Sequence, residues 1–183
     1  MSKKDYRLPK IPDKKIKDSK LLQDIKNRRG GKLLNLDRAL LNSSEFASGW
    51  NNFLATVRNK LSLDPKIREL AICAVAILNK ADYELNQHAP EFLKTGGTKE
   101  QLESLKNIDN AILNKKLFND KERATIDLTK EMTLKVQVKD NCFKNIKKVL
   151  PNVQQQVELI GVIACYNMVS RFLEAIQIPI DKN

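Results

Sequence analysis

A chain of 183 residues can form one domain with a substantial core. Six Gly and six Pro leave little material for a turn-rich β sandwich or barrel, and with aromatics at 5% the core must come from Leu, Ile, Val and Ala. The net charge of +11 invites a nucleic-acid reading, but the cations are mostly Lys in short, dispersed clusters such as Lys14-Lys15-Ile16-Lys17 and Lys147-Lys148. A solvated Lys-rich surface accounts for them better than a phosphate-binding stripe.

Cys73, Cys142 and Cys165 are odd in number and far apart, which suits neither a disulfide framework nor a zinc site. The first residues are charged and lack the apolar stretch of a signal peptide. The longest apolar run, Leu70 to Leu78, is too short to span a bilayer. The expectation is a soluble, cytoplasmic protein with no membrane partner.

Residues 1–19, with Pro9 and Pro12, read as an extended arm that lies over the body or reaches a neighbouring subunit; residues 20–183 read as a single all-helical domain. Leu21, Leu22 and Ile25 recur at helical spacing until Gly30-Gly31 ends the segment. A short helix covers Asp37 to Leu41. Ser43-Ser44 offers N-caps for a helix with Phe46, Trp50, Phe53, Leu54 and Val57 on one stripe. Asp64-Pro65 is a start signal, with Asp at N-cap and Pro at N1. The helix it opens, Lys66 to about Lys80, is apolar almost all round, as the centre of a fold or an interface would be.

A further helix runs from Ala81 to about Leu93, interrupted by Pro90 and stopped by Gly96-Gly97. Thr98-x-x-Gln101 and Asn119-x-x-Glu122 are capping boxes that start helices, the second continuing through Met132. Asp140 caps a helix through Val149, and Pro151-Asn152 restarts the chain for a long, largely apolar helix, Val153 to Ile176. No segment reads as a strand. The fold class is all-α.

His88 is the only histidine, and Glu84 lies four residues before it, on the same helix face. Such a pair can fix one imidazole tautomer and raise its basicity, which acid–base work needs. Spacing alone reads it first as a surface ion pair. Glu69 opens the apolar helix, and its position reads as an exposed first turn helped by the helix dipole. Cys73, one turn on, reads as buried core.

The stretch Arg68-Glu69-Leu70-Ala71-Ile72, then Ala81-x-Tyr83-Glu84-Leu85-x-x-His88, then Gly96, resembles the core motif of the carboxymuconolactone decarboxylase and alkylhydroperoxidase D superfamily. Leu40-Leu41-Asn42-Ser43 with Gly49-Trp50, Glu122-Arg123 with Glu131-Met132-Thr133, and Tyr166-Asn167 with Arg171 extend the resemblance over roughly residues 33 to 176. It implies the alkylhydroperoxidase D-like helical bundle, assembled as homotrimers or homohexamers whose subunits close each other's sites. In the peroxidase branch a glutamate and a histidine serve a Cys-x-x-Cys pair. Glu69 and His88 match the first two, but the cysteine positions hold Ala81 and Glu84, so the dithiol mechanism is not available in that form.

The Glu-Leu-x-x-His form is more similar to the decarboxylase branch. That resemblance implies removal of carbon dioxide from a small carboxylated lactone without metal or organic cofactor. His88 would be the proton donor, with Glu84 and Glu69 orienting it. Arg171 would clamp the substrate carboxylate beside Tyr166 and Asn167, with Tyr83 lining the site and Arg7 a further candidate clamp. Two other readings stay open: a peroxide-consuming protein with altered thiol chemistry at Cys73, and a non-catalytic oligomer that binds an acidic partner.

Overall fold

The computed structural model describes residues 6–9, 11–16 and 19–181. Of the arm expected over residues 1–19, positions 1–5, 10, 17 and 18 lie outside the described residues. Among the described residues, a 3-10 turn at Asp13–Lys15 is followed by ten α-helices: α1 (Ser19–Arg28), α2 (Asn35–Leu40), α3 (Ser44–Asn59), α4 (Pro65–Leu78), α5 (Asp82–Lys94), α6 (Lys99–Ser104), α7 (Ile108–Leu113), α8 (Asp120–Lys135), α9 (Asp140–Val149) and α10 (Val153–Ile176). No strand occurs among the described residues. The all-α reading is therefore correct.

The chain divides into two compact units, one formed by residues up to Lys60 together with those from Leu173, the other by Leu61–Phe172. In the first, α2 and α3 pack together and Asp37 is fully buried. Its carboxylate accepts the Leu34 N–H at 2.9 Å and pairs with Arg29 at 3.2 Å and Arg28 at 3.6 Å. The described part of the N-terminal segment lies along this unit: the Arg7 N–H donates to the Ile176 carbonyl at 3.1 Å, and Asn42 Nδ2 donates to the Pro9 carbonyl at 2.8 Å.

Only part of the stripe expected on α3 faces inward. Trp50, Leu54 and Val57 are buried, whereas Phe46 and Phe53 stand half exposed, 46 and 53 being two turns apart on the outer face. The segment expected to begin at Asp37 starts two residues earlier, because Asp37 serves as an N3 acceptor for the Leu34 N–H.

The second unit is built around α4. Asp64 Oδ1 accepts the N–H groups of Lys66 and Ile67 at 2.8 and 3.2 Å, and Pro65 fills the first helical position, where no donor is needed. Every residue from Glu69 to Ala76 is buried, with α5 and α8 packed against it. Leu70, Cys73 and Ala74 share a core with Phe92, Leu105, Ile108, Ala111, Phe118 and Ile126. Apolar on nearly all sides, α4 can only be stable when covered on nearly all sides.

The link from α4 to α5 is three residues long. The Ala81 N–H donates to the Ala76 carbonyl at 2.8 Å and the Lys80 N–H to Ile77 at 3.1 Å, the two bonds of a Schellman turn. Lys80 takes the left-handed position, with φ 54°. The turn sends α5 back along α4. Helix α5 runs through Pro90, contrary to the interruption expected there, and ends only at a second Schellman turn, in which Gly96 has φ 94° and the Gly97 N–H reaches the Phe92 carbonyl at 2.9 Å.

Both capping boxes are formed, Thr98 with Gln101 and Asn119 with Glu122. Asp140 is not the cap of α9; Lys139 holds that position, fixed by its N–H bond to Glu131 Oε2 at 2.7 Å, and Asp140 is the first helical residue. By length and composition α10 could cross a membrane, but half of its apolar stretch is buried inside the protein, as in the core helix of a folded helical domain.

Candidate functional site

The turn at Asn79–Ala81 sets α4 and α5 antiparallel, which brings together two residues 19 apart in sequence. His88 Nδ1 lies 2.6 Å from Glu69 Oε2. On the other side of the ring, His88 Nε2 lies 3.1 Å from Glu84 Oε1, one turn earlier on α5. All three residues are buried. The exposed first-turn position expected for Glu69 is thus overturned, and so is the surface pair expected for Glu84 and His88. Helix α5 covers the start of α4, and a carboxylate buried there is stable because a cation meets it.

Arg68 completes the set. Its Nε donates to Glu69 Oε1 at 3.1 Å, so each oxygen of Glu69 has its own partner. Adjacent residues on a helix do not usually face each other, which is why sequence spacing gives no hint of this bond. Arg68 stood in the recognised motif, but no site role was read for it.

The electrostatics follow from this geometry. Burial opposes ionisation of Glu69, yet the bond to His88 and the charges of His88 and Arg68 hold its carboxyl below the usual range. Burial likewise opposes charge on His88, but hydrogen bonds to Glu69 and Glu84 hold its pKa above the ordinary value. Both shifts favour the charged pair, an imidazolium facing the Glu69 carboxylate. Tyr166 packs on it edge-on, ring centroids 5.0 Å apart at 84°.

The remaining expected site residues divide. Tyr166 touches His88; Tyr83 is buried on the same helix as His88. Asn167 and Arg171 belong to a separate polar node. Asn167 Oδ1 accepts from Asn79 Nδ2 at 3.1 Å and from Arg171 Nη1 at 2.7 Å, while its Nδ2 donates to Thr133 Oγ1 at 3.0 Å. That node ties the ends of α4 and α8 to α10. Among the described residues no three His, Cys, Asp or Glu side chains form a metal-ligand cluster. A groove of about 640 Å³ at the start of α8, lined by Lys66, Lys115, Glu122 and Arg123 among others, includes none of Glu69, Glu84 or His88.

Cys73 is buried one turn from Glu69, as expected of a core thiol. Burial first, then the charges of Glu69 and Glu84, push its pKa well above the usual thiol range. Burial and Glu84 push Cys165 up to about 12.

Residues 44–112 match the model of the Carboxymuconolactone decarboxylase family. No curated protein matches the chain. Among solved structures, the chain is similar to an uncharacterised peroxidase-related protein from Silicibacter sp. TM1040, with 16% identity, 99% of this chain and 93% of that one covered, and a TM-score of 0.79. A peroxidase-related protein from Ralstonia eutropha JMP134 with an alkylhydroperoxidase AhpD core gives 13% identity, coverage of 96% and 92%, and a TM-score of 0.78. The debrominase Bmp8, as a cysteine-to-alanine variant in complex with 2,3,4-tribromopyrrole, gives 10% identity, coverage of 95% and 91%, and a TM-score of 0.76. At these identities the likeness speaks for the fold.

Proposed function

We propose that this chain, whose residues 44–112 match the Carboxymuconolactone decarboxylase family, is a small-molecule enzyme of that kind that moves a proton with His88, Glu69 and Glu84 on a carboxylated, lactone-type substrate. The observation that carries this reading is the buried His88 ring, met by Glu69 at one nitrogen and by Glu84 at the other. Loss of carbon dioxide leaves an electron pair on the substrate carbon, and that carbon must then be protonated. The Glu69–His88–Glu84 set supplies the proton, and burial strengthens the electrostatics of the transfer. Tyr166 gives the imidazole a fixed wall. Such chemistry uses no thiol, and none of the three cysteines is a favourable nucleophile: all are buried, with raised pKa values.

Three free, buried thiols fit a reducing compartment, and the cytoplasm is the location that we propose. The working form that we propose is a homotrimer or homohexamer with no nucleic-acid partner. The test follows ultraviolet loss of carboxymuconolactone with the wild-type protein, beside His88→Ala and His88→Gln. Turnover by wild type, absent in both variants at unchanged oligomeric state, is the expected result. No turnover by wild type, or equal turnover in the variants, would overturn the reading.

A further inference from the structure

Three cavities of about 640, 570 and 470 Å³ adjoin at the start of α8, and Glu69, Glu84 and His88 line none of them. Lys115 lines all three. The first shares Asp120 and Arg123 with the second, and Lys66 and Glu122 with the third, so together they form one continuous groove. Its walls carry six cationic side chains against four carboxylates, a surplus of two positive charges.

Three of the four carboxylates are committed to the fold. Asp64 Oδ1 caps α4. Glu122 meets Lys66 Nζ at 2.6 Å through Oε1 and accepts the Asn119 N–H at 2.9 Å through Oε2. Asp120 pairs with Arg123. Only Asp127 is left to set against Lys115, Lys116, Lys121 and Lys148, none of which has a carboxylate partner among the described residues.

Solvated lysines alone would mean little, since water satisfies them. Arg123 adds a second observation. Its side chain is only 19% exposed, and its Nε is buried with no hydrogen-bond partner. A buried donor without an acceptor is costly. Its anionic neighbour Asp120 is 81% exposed, and a pair so open to water holds weakly. A stronger anion entering the groove can displace Asp120 and take the Nε and Nη2 edge of the guanidinium together, with Lys115 beside it. The first turn of α8 lines the same space and adds its positive end.

From these observations we propose that the groove is a binding site for a small phosphomonoester. Such a group carries a charge of about −1.5 to −2 at neutral pH, which matches the surplus of two, whereas a monocarboxylate would leave one cation uncompensated. Ile67, Phe118 and Val149 line the same groove and give the apolar body of the ester a surface to lie on. Lys115 is the central contact, Arg123 is the phosphate fork, and Asp120 is the residue that yields. The site stands independently of the proposed proton transfer.

The probe is phenyl phosphate, titrated into the full chain at low salt and neutral pH, with amide chemical shifts read residue by residue. Inorganic phosphate keeps the charge and lacks the ring; benzoate keeps the ring and carries one charge. Saturable shifts at Lys115 and at Asn119–Arg123 are expected, with phenyl phosphate tightest and benzoate about tenfold weaker. Lys115→Ala and Arg123→Met should each weaken phenyl phosphate about tenfold, and Asp120→Asn should strengthen it about threefold. Lys106→Ala removes an equal charge from outside the groove and should change nothing. Lys115 and Asp120 are exposed, so their variants test the site even if Arg123→Met fails to fold. Benzoate binding as tightly as phenyl phosphate, weaker binding in Asp120→Asn, or an equal loss in Lys106→Ala would each overturn the proposal, as would the lack of any saturable shift.

Discussion

The Nδ1 atom of His88 and the Oε2 atom of Glu69 are 2.6 Å apart, across 19 residues of sequence and inside the protein. Folding therefore raises the imidazole pKa from 6.5 and lowers the Glu69 carboxyl from 4.5. The two shifts act at opposite ends of the pH scale. The His88 contribution to stability is complete below 6.5 and disappears as pH climbs through the raised folded value. The Glu69 contribution is present above 4.5 and disappears as pH falls through the lowered folded value. Urea unfolding at a series of pH values should thus show the stability advantage of wild type over His88→Gln shrinking on the alkaline side. A constant difference across that range would contradict the imidazolium assignment.

Removing one partner of this set leaves buried polar groups unmatched. Glu69→Ala leaves Nδ1 of His88 and the Arg68 guanidinium without their carboxylate, and His88→Ala leaves Glu84 and one oxygen of Glu69 without their partner; each should cost about 3–5 kcal/mol. The double variant Glu69→Ala/His88→Ala should cost less than the sum of the single ones, because the second removal relieves a charge that the first left exposed to the interior. A denaturant double-mutant cycle measures this directly, and simple additivity would mean that the two residues are not coupled.

The three thiols should be inert in the folded protein. Cys73 and Cys165 are pushed up by burial and by nearby carboxylates, and Cys142 is pushed up to about 12 by burial and Asp127. Ellman's reagent should find three slow thiols that react at the rate of global or local opening, all becoming fast in denaturant. Hydroperoxide consumption should be no faster than for Cys73→Ser. A native-state thiol reacting at once, with peroxide loss abolished by Cys73→Ser, would restore the thiol reading.

How much of this was legible in the sequence depended on whether the deciding contact was local. Asp64-Pro65 announced α4 because the cap bonds reach only two and three residues on, and Thr98-x-x-Gln101 and Asn119-x-x-Glu122 worked for the same reason. Glu84 and His88 could be paired from spacing alone. Their burial could not, since it depends on α4 packing against α5, and α5 is placed by a turn whose left-handed residue is Lys80 rather than Gly. The inward position of Glu69 depended on the same turn. Phe46 and Phe53 looked like core because periodicity gives the relation of residues to one another, not which side of the helix is covered. The break between α6 and α7 carried no Gly or Pro to mark it.

Val136 closes α8 with φ 65° and ψ −48°, and the Gln137 N–H reaches back to the Lys135 carbonyl at 2.7 Å. This is a three-residue turn of the strained kind, and a β-branched side chain makes it worse. The side chain is 83% exposed, so it returns little packing. Val136→Gly should therefore stabilise the protein by about 1 kcal/mol, read as a higher urea midpoint at unchanged slope. A lower midpoint would mean that the turn is not under strain.

Gly97 lies against the ring of Phe92, close enough that a Cβ added there would fall on three ring carbons. Phe92 has no exposure and belongs to the core that α4 shares with α7 and α8, so its ring has nowhere to withdraw. The same two residues are joined by the Gly97 N–H to Phe92 carbonyl bond that closes α5. Gly97→Ala should therefore cost about 1–3 kcal/mol, the range for overpacking a filled core. If the collision is the cause, Phe92→Leu, which is destabilising by itself, should make Gly97→Ala nearly neutral in that background. An undiminished penalty in the Phe92→Leu protein would place the requirement for glycine in the backbone of the turn instead.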